Sequence, residues 1–365
     1  MLVVCLISTI YGIVLISSAT TGMAQVTVQL GAMVIGIVLF VLFSYLDLDI
    51  IADKSNFLLI FSVLFILTLI PWGVGVGVEG RRTWLRFFDI GIQPGEIIKV
   101  PLIIILARLI VTYKERKALN SFVPLLHITL IFAVIFGVSI RVSGDIGTAL
   151  VYLGIFAVMM YIGGVKLRWF ALGGVVIAAA FPFLLNNFFT DRQRARILSP
   201  FEVFHDRVDP ELLMDVLWQP SQSVRAISAG GFTGQGLGRG TVTQSGTFFA
   251  LETDFIFTAA GEELGFVGLV AIVLLLLIII GRCIYVGTKS NNPLGMLVCT
   301  GVAAMFIVQT VENIGMTLGM LPVIGIPLPF FSYGGSSIVT YFAAVGIVSG
   351  IKMRPKTAKF GRLRG

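Results

Sequence analysis

The chain alternates between long apolar runs and short polar breaks. Runs near 2–20, 28–46, 57–77, 97–112, 122–140, 146–162, 169–189, 255–281, 294–312 and 334–351 each approach the length that crosses a bilayer. A spanning helix needs about 20 predominantly apolar residues. The pattern predicts an all-α polytopic membrane protein of about ten transmembrane helices. One long break, about 190–254, separates helices seven and eight and is expected to be an extracellular loop. The expected organisation is one membrane domain over 1–365 with a basic cytoplasmic tail over 352–365.

Composition agrees with this class. Hydrophobic residues make up 57% of the 365 residues, charged residues 12%, and the mean hydropathy is +0.99. The net charge of +7 is distributed as a membrane protein distributes it. Lys114, Arg116 and Lys117 lie in one short loop, Lys166 and Arg168 in another, Arg282 and Lys289 in a third, and the tail is basic. Short basic loops stay cytoplasmic, so both termini are expected inside and the 190–254 break outside. No basic stretch is interleaved with aromatics as a nucleic-acid surface would be. The first apolar run lacks a basic leader and a small-residue cleavage site, and reads as a membrane helix instead of a signal peptide. Cys5, Cys283 and Cys299 fall in or beside apolar runs and are expected as buried free thiols.

Candidate chemistry concentrates at the outer ends of the helices. Asp254 is the last acid before the apolar run resumes at Phe255, a costly place for a carboxylate without a function. Arg81, Arg82 and Arg86 after helix three, and Arg192, Arg194 and Arg196 in the long loop, are expected on the same outer face. A guanidinium fork matches phosphate oxygens, so these residues are either anion ligands or solvated charge. Glu96 and Lys99 are spaced i, i+3 and can pair on one helix face. The proline- and glycine-rich stretch from Leu321 to Ser337 cannot be a regular helix, and irregular backbone at membrane depth lines a cavity or is buried in protein. The glycine run Gly234–Gly240 lacks the Lys-Ser/Thr ending of a phosphate loop and reads as a flexible turn. His127 reads as a packed core histidine. With His205 as the other histidine, no histidine-rich metal site or Ser-His-Asp arrangement is expected.

These residues also carry a resemblance. Asn313, Gly319, Pro322, Leu328-Pro329-Phe330 and Ser332-Tyr333-Gly334-Gly335-Ser336 resemble the signature of the SEDS family (shape, elongation, division and sporulation). Asp191 to Leu198, Gln222-Ser223, Thr253-Asp254-Phe255, Gly261-Glu262-Glu263-Leu264-Gly265, and Gln93-Pro94 with Glu96 and Lys99 match further along the chain. Ile326 to Phe330 is more similar to the elongation member, RodA, than to the division member, FtsW. The chain departs from the family pattern at Phe249, Ala250 and Glu252, where a Glu and a His are usual, and at Thr83, Gly95 and Ser143-Gly144.

The resemblance implies a peptidoglycan glycosyltransferase. It would polymerise lipid II into glycan strands on the outer face of the bacterial cytoplasmic membrane, for cell elongation and shape. Asp254 would be the general base for the acceptor hydroxyl. Arg194, Arg196 and Lys99 would neutralise the pyrophosphate, Trp84 would offer an apolar platform, and Glu96, Gln222, Ser223 and Ser336 would complete the substrate site. One base plus cations suffices because a pyrophosphate needs no protein acid to leave. Glu262 and Glu263 are expected about 12 Å deeper along a straight helix, too far to pair with Asp254. No cofactor is firmly implied. A divalent cation, Mg or Mn, is compatible with the chemistry, but one held by the missing Glu or His would lack those ligands. Expected partners are the undecaprenyl-linked strand, a class B penicillin-binding protein transpeptidase and other elongation-complex membrane proteins. The rival reading is a lipid II flippase using the same cavity. A transporter would show broken helices in matching halves, and the chain has one such segment, near 321–337. A third reading is a scaffold whose polymerase activity has lapsed.

Overall fold

The computed structural model describes residues 1–20, 22–75, 82–87, 90–201 and 209–354. Arg81, His205 and the tail beyond Arg354 lie outside the described residues. The helices are α1 (Leu2–Ala19), α2 (Met23–Tyr45), α3 (Leu48–Asp53), α4 (Ser55–Leu67), α5 (Leu69–Trp72), α6 (Pro94–Ile97), α7 (Lys99–Glu115) and α8 (Phe122–Ser143). They continue with α9 (Ile146–Gly163), α10 (Leu167–Phe188), α11 (Asp191–Leu198), α12 (Pro210–Gly230), α13 (Ile256–Lys289), α14 (Pro293–Thr317) and α15 (Gly335–Met353). Each apolar run is helical over most of its length, the third giving way to a strand at Gly73–Val74. Among the described residues, eight helical segments are long and apolar enough to cross a membrane. The two runs outside that set are α7, which carries Lys99, Arg108 and Lys114, and α10, whose apolar part is Leu167–Phe183.

The inside-out character of the surface supports a lipid environment. Val34, Ile35, Val38, Val41 and Leu42 of α2 are all exposed, more contiguous apolar surface than a soluble protein leaves to water. Contacts between helices rely on small residues that let backbones approach. A Cβ at Gly346 of α15 would sit 2.6 Å from Phe40 O of α2, and one at Gly350 would sit 2.6 Å from Ser44 O. The core is polar where it matters: Glu96, Lys99, Glu262, Glu263, Gln309 and Asn313 are all buried.

Three structural features go beyond the hydropathy pattern. The segment after the third apolar run is not plain loop. Strands β1 (Gly73–Val74), β2 (Trp84–Phe87) and β3 (Ile90–Ile92) form an antiparallel sheet in that order, with Leu85 opposite Ile92. The described part of the polar stretch 190–254 contains α11, α12 and a 3-10 turn at Thr243–Ser245. Thr190 opens α11 with a capping box, its hydroxyl accepting from Gln193 N while Gln193 Oε1 accepts from Thr190 N. Finally, α13 is not straight, because Gly265 adopts φ 64° and ψ −162°. Gly265 follows Glu262 and Glu263, so the bend redirects α13 beyond them and leaves their spacing from Asp254 unchanged. Ser18, at the end of α1, donates to the Glu263 carboxylate at 2.7 and 2.6 Å.

Candidate active site

Asp254 ends a tight turn that the chain closes on itself. Ala250 adopts φ 58°, and its carbonyl accepts from Asp254 N at 2.9 Å and Phe255 N at 3.3 Å. Buried Leu251 and Phe255 anchor the turn, and Phe248 meets the Phe255 ring edge-on at 5.0 Å. The turn is then stitched to the proline- and glycine-rich segment. Asn313 Nδ2 donates to Asp254 O and to Ile326 O, each at 2.7 Å, and Tyr333 N donates to Glu252 O at 2.8 Å. Gly325 adopts φ +74°, and a Cβ there would lie 3.3 Å from Asp254 Oδ2. Burial pushes the Asp254 carboxyl up from 3.8 to about 6, against a hydrogen bond from Thr253 that lowers it. The charges of Asp145 and Glu252 raise it further, and that of Arg196 draws it down. The site thus holds a carboxylate tuned toward neutral pH with a cation in its field, the pairing a general base beside an anionic leaving group requires.

On the other side of Gly325 lies the second part of the site. A small cavity is bounded by Gly325, Ile326, Gln93, Glu96, Lys99 and Thr148. Glu96 and Lys99 form the expected ion pair across the break between α6 and α7, with 2% and 1% of their side chains exposed. Gln309 Nε2 donates to Tyr341 OH at 2.7 Å, and that hydroxyl lies 3.5 Å from Glu96 Oε2. Tyr152 OH donates to Gly95 O at 2.7 Å, fixing the turn that presents the pair. A buried pair of this kind needs such supporting hydrogen bonds to offset its desolvation.

Asp145 was not among the candidate residues. It caps α9, accepting from Thr148 N at 3.1 Å and Thr148 Oγ1 at 2.6 Å, and it accepts from Gln93 Nε2 at 3.0 Å. The Asp145-to-Thr148 spacing is an N-cap signal, which explains the helix start but not the position beside Asp254. Gly325 and Asn313 were visible in the sequence only as part of an irregular segment and a motif.

The arginines diverge. Arg196 acts on Asp254 through its charge. Arg194 turns the other way, its Nε donating to Leu185 O at 3.0 Å and its guanidinium 3.5 Å from Asp191. Arg192 bonds Asp215 at 2.9 Å and ties α11 to α12. Arg82 donates to Ile70 O, while the charge of Arg86 reaches Tyr333, whose hydroxyl burial and Glu252 push upward. Trp84 packs across the sheet, and a Cβ at Gly91 would meet its ring at 3.0 Å. Gln222 is half-buried on α12. Two expected substrate ligands have their hydroxyls engaged within the protein. Ser223 is fully buried, 2.5 Å from Thr258 Oγ1 and 2.6 Å from Thr317 O. Ser336 accepts from Gln93 N at 2.9 Å and donates to Gly91 O at 3.2 Å. Both are ties between elements that frame the site.

The glycine run is not a flexible turn. Its backbone lies against α13, where a Cβ at Gly234 would be 2.1 Å from Glu263 O. Gln235 N donates to Glu262 O at 3.0 Å and Gly236 N to Glu263 O at 2.9 Å. The Glu262 carboxylate then collects Thr241 Oγ1, Val242 N, Thr243 N and Thr243 Oγ1 at 2.7 to 2.9 Å. Among the described residues no three His, Cys, Asp or Glu side chains converge to hold a metal ion. The charges of Asp145 and Glu252 act on Asp254 without the three forming such a set.

The model of the FtsW/RodA/SpoVE family, described as cell cycle protein, matches residues 1–357. The chain is 33% identical over 305 residues to the probable peptidoglycan glycosyltransferase FtsW of Trichlorobacter lovleyi, covering 81% of this chain and 76% of that protein. It is 28% identical over 362 residues to the peptidoglycan glycosyltransferase MrdB of Escherichia coli K12, covering 98% and 93%. Among solved structures, a chain of a peptidoglycan synthase complex that coordinates polymerization and crosslinking superposes with a TM-score of 0.79 at 25% identity, covering 96% of both chains. With its helices, its irregular segment and its motif residues in one frame, the chain belongs to the FtsW/RodA/SpoVE family of cell cycle proteins, the SEDS family.

Proposed function

We propose that this protein is a peptidoglycan glycosyltransferase that polymerises lipid II on the outer face of the bacterial cytoplasmic membrane, with Asp254 as general base. The observation that carries the reading is the carboxylate of Asp254, raised to about 6, within the field of Arg196 and against Gly325. In the step, the acceptor sugar hydroxyl attacks the anomeric carbon of the donor. Its proton passes to Asp254, the bond from that carbon to the pyrophosphate oxygen breaks, and the lipid pyrophosphate leaves as the anion. Arg196 offsets the developing charge, an electrostatic contribution that needs no reorganisation at the moment of reaction. Lys99 and Glu96 line the adjoining cavity and hold its charge balanced. No step is routed through a divalent cation, since among the described residues the acids near Asp254 do not form a ligand set of three.

The relatives carry glycosyltransferase names, and the similar chain from a synthase complex supports a crosslinking partner of the class B penicillin-binding type. The elongation role rests on Ile326 to Phe330 alone, since relatives named for division also match. Depletion in the native organism separates the two: rounded cells support elongation and filaments support division. For the chemistry, purified protein is given labelled lipid II with and without Asp254→Asn. Glycan chains that vanish in the variant support the proposal. Polymer made equally by Asp254→Asn would refute the base assignment, and lipid movement across vesicles without polymer would favour a flippase.

A further inference from the structure

His127 was expected to be packed in the core, and it is not. It is exposed on α8 beside the exposed apolar residues Val123, Leu126 and Leu130. Tyr113 OH of α7 holds its Nδ1 at 2.9 Å. His127 is five residues into α8, roughly 7.5 Å along the axis. An ionisable ring on a lipid-facing surface is costly in hydrocarbon, so this depth is that of the head-group layer.

Around it, at the end of the bundle opposite Asp254, two turns are locked together. Lys114 Nζ donates to Gly163 O at 3.0 Å. Asn120 Nδ2 donates to Gly164 O at 3.1 Å, and Asn120 Oδ1 accepts from Lys166 N at 2.8 Å. The platform so formed exposes Arg116, Lys117, Lys166 and Arg168, with Glu115 as the acid on the same turn. Arg168 lies over the Trp169 ring at 5.5 Å, and Trp169 meets Phe122 at 6.4 Å. Trp169 Nε1 is buried with no hydrogen-bond acceptor among the described residues. A buried indole N–H without an acceptor calls for one from outside the chain.

We propose that this platform binds the phosphate head group of an anionic phospholipid. Exposed lysines and arginines on a fixed backbone complement phosphate oxygens. The Trp169 N–H supplies a donor at the depth of the ester and phosphate oxygens, where interfacial tryptophans reside. The apolar residues of α8 beside His127 give the acyl chains a surface. The site is independent of the chemistry at Asp254.

The test uses the full chain in detergent, with native mass spectrometry during titration by phosphatidylglycerol or phosphatidylcholine of equal chain length. Phosphatidylglycerol is expected to be retained preferentially. Lys166→Gln with Arg168→Gln should weaken it by about fivefold per cation removed. Trp169→Phe, which keeps the ring contact, should also weaken it. Arg282→Gln with Lys289→Gln carries the same charge change elsewhere and should leave binding intact. Melting temperatures confirm that each variant is folded. Equal retention of the two lipids, equal loss in both double variants, or displacement by inorganic phosphate at the same concentration would each overturn the proposal.

Discussion

Asn313 holds Asp254 from behind: one amide nitrogen donates both to the Asp254 carbonyl and to the Ile326 carbonyl, at 2.7 Å each. The residue proposed as base and the irregular segment that carries Gly325 are thereby fixed to one point on α14. The relationship makes Asn313 a positioning residue, one that acts through Asp254 without needing to touch substrate.

Replacing Asn313 with alanine leaves two carbonyls without that donor, at about 1–3 kcal/mol for each one that stays buried. Polymerisation by Asn313→Ala should fall at least about tenfold in kcat with a smaller change in KM. Single-turnover assays with lipid II measure this. An unchanged kcat in a variant of lowered melting temperature would show that the amide supports the fold alone.

The pH dependence follows from the Asp254 carboxyl at about 6. A protonated base cannot accept, so kcat should rise as pH increases through about 6. Glu252→Gln removes a charge that raises the carboxyl and should move that limb to lower pH. Arg196→Gln removes one that lowers it and should move the limb to higher pH. The stability effect has the opposite sense to the activity. A carboxyl raised in the folded state stabilises most below its ordinary 3.8, and that contribution is lost as pH rises through about 6. A pH–rate series on the three proteins decides it, and coincident limbs would sink the assignment.

The Glu96–Lys99 pair should behave as a buried pair. Removing one partner leaves a charge with no counter-ion, at about 3–5 kcal/mol. Lys99→Met and Glu96→Gln should each lower the melting temperature sharply. The double variant Glu96→Met with Lys99→Met should recover part of the loss. Additive losses in thermal unfolding would argue against direct coupling.

Glu262 and Glu263 are adjacent and equally buried but not equivalent. Glu262 satisfies two backbone N–H groups, Val242 and Thr243, while Glu263 accepts from the side chains of Ser18 and Gln244. Side chains can rotate to other acceptors and backbone cannot. Glu262→Ala should therefore destabilise by roughly 2 kcal/mol or more beyond Glu263→Ala. Denaturant or thermal unfolding in matched detergent compares them, and a larger loss for Glu263→Ala would contradict the account.

Much of the site was legible along the chain. Asp254 at the edge of an apolar run and the broken segment before Ser337 lie together in the structure, and Glu96 pairs with Lys99 as their i, i+3 spacing allows. What spacing could not reveal was direction. Arg194 and Arg196 are two apart on α11, so they leave the helix on different sides, and one lies in the field of Asp254 while the other folds back on Leu185. Ser223 and Ser336 carried the right motif, yet their hydroxyls serve the frame. The bend at Gly265 is one dihedral choice that no hydropathy window registers, and the contact of Glu263 with Ser18 at the end of α1 is equally invisible to one.

By itself the sequence determined that this is a helical membrane protein, roughly where each helix lies and which family it resembles. Those properties depend on the transfer energy of whole segments and on local motifs, both of which are sums over neighbouring residues. The tertiary structure decided which charges meet. It placed Asp145 and Arg196 within the field of Asp254, set Gly325 between the base and the Lys99 cavity, and left His127 facing outward. Those outcomes depend on helix phase, on glycine dihedrals and on contacts between residues dozens to hundreds apart, which a local reading cannot sum.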